Sequence, residues 1–424
     1  MDEIRCSTHE FSKPAFDARP LAVRHATTPA RGTTTTFSFG FSTTHEGVTL
    51  KKHTAVAAAA ALVLAATLVP AASASADEGH NPTIVASAPV NRPTGLSEIA
   101  SVFVEANGTS YQTDSYSGSI TKTTAAGVVT TLVAAHSGYL WGLTAYNGVL
   151  YYFDRVPAQA FTDPPDIWLM SVPVNGGTPK QVVHYSDWQL DHEPDAANVY
   201  GFYNTPQSCL DQFLGLRGLE PGIEYGSYAD YSYATQTVAT ASGIYLSDSG
   251  RNSVLKVTYT GAVSVVAVLP PEPAIVADQA FLDRNYFPQC ALGKKYAPRP
   301  APSGITQGPD GNFYVTTLPN GYPGTSLALK GGIYRINPAT GVSKRIIGSL
   351  KAPTGISATP SGTLYVAEGR GGTDGAGGIS VVRVNAAIAR PLTNLAGASS
   401  VRYVKDKLYI PTSNALKVVT LTYK

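Results

Sequence analysis

Two stretches of the chain decide its fold: APSGITQGPDGNFYVTT at residues 301–317 and APTGISATPSGTLYVAE at residues 352–368. Each contains a Pro/Gly turn, a short strand, a second turn and a strand centred on a tyrosine. The same order recurs, more weakly, around four further tyrosines, Tyr111, Tyr151, Tyr245 and Tyr409. Further short strands follow each copy, and four short strands per roughly 40–50 residues are typical of a β-propeller blade. The sequence therefore predicts an all-β, six-bladed β-propeller, with a sandwich or a β-helix as alternatives.

Composition agrees with many short strands joined by turns. The 424 residues include 40 Gly, 30 Pro and 24 Tyr but only 2 Met, and 14% are charged against 43% hydrophobic. This balance excludes a disordered chain. Basic and acidic residues are equal in number from residue 77 onward, so no electrostatic argument favours a nucleic acid partner.

The N-terminal region predicts export. Lys51 and Lys52 precede an apolar run, Ala55 to Val69, and Ala74-Ser75-Ala76 provides a small-x-small cleavage site. We interpret 48–76 as a signal peptide, 1–47 as a disordered, over-long gene prediction, and 77–424 as the mature, secreted propeller. A retained membrane anchor is the alternative, but the run is shorter than the ~20 residues of a membrane span. No stable membrane span is expected after cleavage.

The sixth repeat ends after its third strand, at Lys424. We expect residues 83–88, TIVASA, to supply the missing fourth strand and to close the ring. Two intervals between repeats are long, which places insertions at 186–234 and 270–300. Both are expected to cover one face of the ring. If residues 198–202 were instead the inner strand of the third blade, the insertions would lie on opposite faces.

Cys209 lies in the first insertion and Cys290 in the second. An even number of cysteines in an exported chain favours a disulfide between them. Two unpaired buried thiols are the alternative.

Polar residues end the tyrosine strands, where the loops of a propeller converge on its axis. They are Asp114, Asp154, Asp248, Thr317, Glu368 and Thr412. Carboxylates around a ring are suitable ligands for Ca²⁺, the candidate cofactor. For Asp248, in SDSGRN, capping of its own turn is the simpler explanation. Glu368 precedes a Gly-rich loop that would leave it accessible.

Two other clusters lie in the first insertion. One contains four acidic residues and a histidine, Asp187, Asp191, His192, Glu193 and Asp195. Because the HExxH spacing is missing, a solvated helix or loop face explains this cluster as an alternative to a metal or acid–base site. The other is aromatic, and either ligand recognition or packing of the insertion would explain it. Its members are Tyr200, Phe202, Tyr203, Tyr225, Tyr228, Tyr231 and Tyr233.

The repeats GITQGPDGNFYVTT, YLSDSGRNSVLKV and PTGISATPSGTLYVAE resemble those of NHL-type and SMP-30/gluconolactonase-like propellers. With the signal peptide and the HEPDAANVYGF segment, the chain from about residue 83 to 424 resembles the secreted actinobacterial ScyD/ScyE family. The longer insertion after Gly201 and the irregular first two repeats depart from that pattern. The resemblance implies a propeller and an export route. The resemblance to gluconolactonase-like propellers further implies a metal in the channel that polarises a lactone carbonyl.

Two functions follow from these patterns. The preferred one is a secreted, non-catalytic binding module for an unidentified protein or small molecule, with Asp114, Asp154, Asp248, Glu368, Tyr200, Tyr225 and Tyr228 as candidate ligand-binding residues. The other is a metal-assisted hydrolase or lactonase that uses the channel carboxylates. Chemistry based on a GxSxG nucleophile or a phosphate-binding loop has no matching motif.

Overall fold

The computed structural model describes residues 83–96, 99–156, 166–217, 234–285, 287–319, 330–369, 375–383, 385–412 and 415–424. The interpretations of 1–47 and 48–76 lie outside these residues. Among the residues described, no helix has the length and apolar character needed to cross a bilayer.

Strands dominate the described chain, so the all-β prediction is confirmed. The strands are β1 (Ile84–Ala86), β2 (Val90–Arg92), β3 (Ile99–Val104), β4 (Ser110–Asp114), β5 (Ile120–Thr123), β6 (Val129–Val133), β7 (Tyr139–Tyr146), β8 (Val149–Val156), β9 (Asp166–Pro173), β10 (Lys180–His184), β11 (Gly201–Tyr203), β12 (Ala234–Thr240), β13 (Gly243–Asp248), β14 (Ser253–Val257), β15 (Val263–Val268), β16 (Ile275–Val276), β17 (Lys295–Ala297), β18 (Pro302–Gln307), β19 (Phe313–Thr317), β20 (Lys330–Ile336), β21 (Ser343–Lys351), β22 (Pro353–Ala358), β23 (Leu364–Glu368), β24 (Gly378–Val382), β25 (Arg390–Asn394), β26 (Arg402–Val404), β27 (Lys407–Thr412) and β28 (Ala415–Tyr423). The helices are α1 (Tyr185–Asp191), α2 (Gln207–Arg217) and α3 (Gln279–Asn285), with a 3₁₀ turn at Gln289–Ala291.

Six antiparallel sheets correspond to the six repeats. Sheets I to V each contain four consecutive strands, and they are β3–β6, β7–β10, β12–β15, β18–β21 and β22–β25. Sheet VI contains β26, β27 and β28, with β1 and β2 added along β28. The repeated tyrosine lies on the second strand of every sheet, as the repeat predicts.

Residues from the two ends of the described chain meet in sheet VI. Ile84 pairs with Tyr423 and Ala86 with Leu421. The backbone of Thr83 exchanges hydrogen bonds of 2.7 and 3.0 Å with that of Lys424. The N-terminal strand β1 therefore takes the fourth position of this sheet, which the sequence assigned to residues 83–88.

The apolar core lies between successive sheets. Separate buried clusters fill the gaps between sheets I and II, II and III, III and IV, IV and V, and V and VI. A further cluster joins Val102 and Val104 of sheet I to Tyr409 and Leu416 of sheet VI. The first strands follow the same order, β3, β7, β12, β18, β22 and β26, with β26 in contact with β3. Each sheet thus buries both of its faces against a neighbour.

The first strand of each sheet pairs with the second strand along one edge only. Its other edge carries backbone N–H and carbonyl groups that no strand pairs with. Hydroxyl groups of the preceding sheet bond to several of these groups. Thr144 Oγ1 accepts the N–H of Ala239 at 3.1 Å, and Thr306 Oγ1 accepts that of Ala358 at 3.2 Å. Ser357 Oγ accepts the N–H of Tyr403 at 3.0 Å. Small hydroxyl residues in the repeats therefore link neighbouring sheets and satisfy donors that burial would otherwise leave unpaired.

Gln236 makes a longer connection across the centre. Its Nε2 donates to the carbonyl of Ile356 at 2.9 Å, and its Oε1 accepts the Ile356 N–H at 3.1 Å. The side chain thus joins sheet III to sheet V across the edge of sheet IV. A Cβ atom at Gly304 would stand 2.8 Å from Gln236 Oε1, so glycine is needed where this side chain passes.

Replacing Val85 by proline tests the terminal pairing. Proline has no N–H to donate to β28, and the orphaned acceptor and lost pairing are expected to cost about 1–3 kcal/mol. We expect Val85→Pro to lower the Tm by several degrees in thermal melting followed by circular dichroism. The matched control is Val85→Ala, because this side chain is 37% exposed. Equal melting of the two variants would contradict a stabilising role of the β1 ladder.

Replacing Gln236 by leucine tests the central connection. Both backbone groups of Ile356 lose their partner, each at a cost of about 1–3 kcal/mol. We expect the free energy of unfolding in urea to fall, whereas Gln307→Leu, at an exposed first-strand position, leaves it nearly unchanged. A Gln236→Leu variant as stable as its control would show that water replaces the connection without loss.

Candidate functional site

Two long connections build a cap on one end of the sheets. Strands alternate in direction within a sheet, so the connections after second and fourth strands leave from the same end. The segments between β10 and β12 and between β15 and β18, which we call the cap, contain the three helices and the short strands β11, β16 and β17. They correspond to the insertions predicted at 186–234 and 270–300.

The two cap segments are joined directly. Strand β17 of the second segment pairs with β11 of the first, with Gly201 opposite Ala297. Strand β12, residues 234–240, is the first strand of sheet III. The alternative register, which made residues 198–202 that strand and placed the insertions on opposite faces, is therefore wrong.

The predicted disulfide between Cys209 and Cys290 is present, with a Cα–Cα distance of 5.7 Å. It joins helix α2 to the 3₁₀ turn. Around it, five aromatic rings pack with centroid separations between 5.0 and 6.0 Å. They belong to Phe202, Phe213, Phe281, Phe287 and Tyr296. For Phe202, packing rather than exposure to a ligand accounts for the aromatic side chain.

Of the three tyrosines predicted to bind a ligand, only Tyr200 is described; Tyr225 and Tyr228 lie outside the described residues. The Tyr200 hydroxyl donates to Asp195 Oδ2 at 3.0 Å and accepts from Asn198 Nδ2 at 3.0 Å. Burial raises the pKa of this hydroxyl. The Arg299 guanidinium lies 5.5 Å from the centre of its ring. Both the hydroxyl and the ring of Tyr200 are thus engaged inside the cap.

Asp248 caps its own turn and also holds the first cap segment. Its Oδ1 accepts the backbone N–H of Arg251 at 2.9 Å, as the sequence indicated for SDSGRN. Its Oδ2 accepts the hydroxyl of Tyr185 at 2.5 Å. Burial, reinforced by the Asp248 charge, raises the pKa of Tyr185 well above its usual value. Both side chains are fully buried, so Asp248 is a structural anchor.

The rest of this turn holds both cap segments. Arg251 donates to the carbonyl of Gln189 at 2.6 Å and lies 3.3 Å from the carboxylate of Glu193. Asn252 Nδ2 donates to Asp195 at 2.7 Å, while its Oδ1 accepts the N–H of Ala301 at 3.0 Å. One short turn of sheet III therefore fixes where the cap lies.

The other predicted carboxylates are engaged near their own strands. Asp114 Oδ1 accepts the N–H groups of Tyr116 and Ser117 at 2.8 and 2.9 Å. Glu368 accepts the N–H of Lys351 and the hydroxyl of Ser380. Both carboxylates are buried. The accessibility expected for Glu368 from its Gly-rich loop is therefore wrong.

Glu272 is a buried carboxylate that sequence reasoning missed. It lies in the second cap segment, accepts the hydroxyl of Thr317 at 2.5 Å and lies 2.9 Å from Arg345 Nε. Burial raises the pKa of Glu272 despite these partners. No spacing in the sequence links Glu272 to Thr317 and Arg345, because three separate elements bring them together.

Asp154 differs from the others because it remains near the surface. Its Oδ2 lies 2.9 Å from Nε2 of His136, and the side chains are 15% and 36% exposed. Tyr116 and Tyr139 are 73% and 42% exposed; Tyr116 lies in the connection after β4 and Tyr139 begins β7, which places both at the same end of sheets I and II. Sequence reasoning identified Asp154 and missed His136, whose position in an irregular connection carries no motif.

The acidic cluster of the first insertion does not converge on one point. Asp187 Oδ2 lies 2.6 Å from His184 Nδ1, whereas His192 stacks on Trp188 with ring centres 4.6 Å apart. The side chains of Glu193 and Asp195 instead contact the SDSGRN turn, through Arg251 and Asn252. Within the described residues, no three acidic, histidine or cysteine side chains form a group able to hold a metal ion.

His184 has serine and carboxylate neighbours without the arrangement of a nucleophilic triad. Its Nε2 lies 3.0 Å from Ser186 Oγ. A general base needs a free lone pair on that nitrogen. Both ring nitrogens already contact carboxylates, Nε2 that of Asp166 and Nδ1 that of Asp187, so neither is free to act on Ser186. Ser186 is also buried, so the cluster is not suited to attack on a substrate.

No protein-family profile and no curated protein matches this sequence. Among solved structures, a streptogramin B lyase overlaps with a TM-score of 0.47 at 14% identity, over 80% of this chain and 98% of that one. A PQQ-bound aldose sugar dehydrogenase from Streptomyces coelicolor has a TM-score of 0.46 at 12% identity, over 81% and 100%. A gluconolactonase from Xanthomonas campestris has a TM-score of 0.44 at 12% identity, over 81% and 88%. At these levels no activity is transferred to this chain.

Removing the disulfide tests whether the cap depends on it. Cys209 and Cys290 are 81 residues apart, and closing a loop of that length stabilises the folded chain by about 4–5 kcal/mol in the chain-entropy model. We expect the double variant Cys209→Ala, Cys290→Ala to melt at a lower temperature. Limited proteolysis should cleave it first within the cap. Unchanged melting and cleavage would mean that the aromatic cluster alone holds the cap.

Proposed function

We propose that residues 77–424 form a secreted six-bladed β-propeller of the ScyD/ScyE kind, closed by strand β1, that binds a protein or small-molecule ligand at its capped face. Six repeats, six sheets with a core in each gap, and the pairing of β1 with β28 support the ring. The signal-peptide pattern at 48–76 supports secretion. The equal numbers of basic and acidic residues from residue 77 onward give no electrostatic argument for a nucleic acid partner.

One observation carries the choice of binding over catalysis. Three of the four predicted channel carboxylates, Asp114, Asp248 and Glu368, are buried and bonded to neighbouring turns and strands. Such carboxylates stabilise the fold and are not directed at a common substrate. The cap likewise uses its polar side chains to hold itself in place. The described part of the cap is joined by a disulfide, and a preformed surface at this end of the sheets is suitable for recognition because little entropy is lost when a ligand binds to it.

The proposed contact region surrounds Tyr116 and Tyr139. Both rings are accessible, and tyrosine offers a flat apolar face together with a hydroxyl group. The His136–Asp154 pair beside them adds polar groups at the surface. Carbohydrate and peptide ligands match this combination of an aromatic plane and hydrogen-bonding groups.

The alternative, a metal-assisted lactonase, would require carboxylates that share one cation. Only Asp154 among the four remains near the surface, paired with His136. The arrangement of the described residues thus gives this function less support than binding.

The experiment combines binding with metal analysis. The secreted protein would be applied to arrays of oligosaccharides and peptides, beside Tyr116→Ala, Tyr139→Ala and Val342→Ala variants. Val342 is 65% exposed on a connection after a third strand, at the end away from the cap. We expect the tyrosine variants to lose at least tenfold in affinity for a captured probe and the Val342 control to retain it.

Elemental analysis of the same protein separates the two functions. Near-stoichiometric calcium or another divalent metal, with hydrolysis of a lactone panel that Asp154→Asn abolishes, would favour the lactonase. Metal-free protein that binds probes through Tyr116 and Tyr139 would support the binding module.

A further inference from the structure

Six equivalent residues occupy one level of the first strands. Each pairs directly with the repeated tyrosine of its sheet, and we call this level the ring position; its members are Phe103, Thr144, Val238, Thr306, Ser357 and Arg402. At three of these residues, the side-chain hydroxyl accepts a backbone N–H from the next sheet. In each case the donor is the residue that follows the ring position of that next sheet. The other three members have no hydroxyl, and Arg402 is the charged one among them, with donors but no acceptor to offer.

Arg402 has no polar partner among the described residues. Neither a hydrogen bond nor an ion pair involves its guanidinium, and its Nε is sealed from solvent without an acceptor. Its guanidinium carbon lies 5.1 Å from the centre of the Phe103 ring in sheet I. Desolvation lowers the pKa of Arg402, with no neighbouring carboxylate to offset it. The side chain is half-buried, and a partly desolvated charge without a counter-ion is costly.

The surroundings also favour an anion. Only Nε of the three guanidinium nitrogens is sealed and unbonded, so the two terminal nitrogens retain access to solvent. At the same level, the hydroxyls of Thr306 and Ser357 accept backbone N–H groups, and their own hydrogens have no acceptor among the described residues. The ring position thus has several hydrogen-bond donors and no carboxylate.

We propose that Arg402 binds an oxyanion, a carboxylate or phosphate group of a small ligand, at the centre of the first strands. The planar fork of a guanidinium pairs with two oxygens of such a group. The hydroxyls of the ring position can donate to it, and Phe103 supplies an apolar surface beneath the guanidinium. The site is separate from the cap. Gln236 bonds to Ile356, one residue closer to the capped end than Ser357, and its side chain therefore lies between the ring position and the cap.

Thermal melting of the secreted protein tests this site. The probes are sodium acetate, sodium phosphate and sodium sulfate, each compared with sodium chloride at equal ionic strength. We expect at least one oxyanion to raise the Tm in a saturable manner, by a few degrees, because a ligand that binds only the folded state stabilises it. A response to acetate assigns the site to carboxylates, and a response to phosphate or sulfate assigns it to tetrahedral anions.

The variant Arg402→Gln is expected to abolish this response. Its Tm in chloride should equal or exceed that of the wild type, since an uncompensated charge has been removed. The control Arg390→Gln, at an exposed position, should keep the full response. An unchanged response in Arg402→Gln, or the same loss in Arg390→Gln, would overturn the proposal.

A second variant covers the case in which Arg402→Gln does not fold. Arg402→Lys keeps the charge but loses the fork, so the apparent affinity for the oxyanion should fall at least tenfold. Isothermal titration of the wild type with the same anions is expected to show one site per chain. No anion-dependent heat and no Tm shift relative to chloride would overturn the proposal without any variant. Loss of probe binding in Tyr116→Ala would leave this response unchanged, so the two proposals fail separately.

Discussion

The structure depends on how the free edges of its first strands are satisfied. A sheet of four strands leaves one edge at the centre of the molecule, where N–H and carbonyl groups are buried and have no neighbouring strand. Side-chain hydroxyls at Thr144, Thr306 and Ser357 and the amide of Gln236 take the place of that strand. Because each such side chain belongs to a different sheet from the group it bonds, the same contacts that satisfy the edges also hold the sheets together.

The cap illustrates a second use of polar side chains for structure. The turn at 247–252 carries a carboxylate, a guanidinium and an amide within a few residues, and all three bond to the cap. A buried carboxylate surrounded by donors is stabilised in place and has little capacity left for substrate or metal. Motifs that suggested chemistry in the sequence therefore explain the position of the two long connections. The groups that remain available for recognition lie at the surface of sheets I and II, and they include Tyr116, Tyr139 and the His136–Asp154 pair.

Recurrence along the chain was sufficient to predict the sheets. Each repeat encodes its own turn residues and apolar alternation, and these local signals determine strand, hairpin and strand order without reference to distant residues. The same reasoning located both insertions and the disulfide between Cys209 and Cys290, since two cysteines in a chain that the sequence predicts to be exported have few other partners. The place of residues 83–88 beside the last strand also followed from a missing strand in the repeat count.

Tertiary structure alone decided what each polar side chain does. Asp114, Asp154, Asp248 and Glu368 occupy equivalent places in the repeats. Asp114 and Glu368 bond to neighbouring backbone groups, Asp248 also anchors the cap, and Asp154 pairs with a histidine. Glu272, Thr317 and Arg345 meet from three separate elements, and Arg402 meets Phe103 from the other end of the chain. Sequence determines a repeat through short-range geometry, whereas a side chain's role depends on which atoms lie within about 3 Å of it. Those neighbours are set by the packing of sheets that are far apart in sequence.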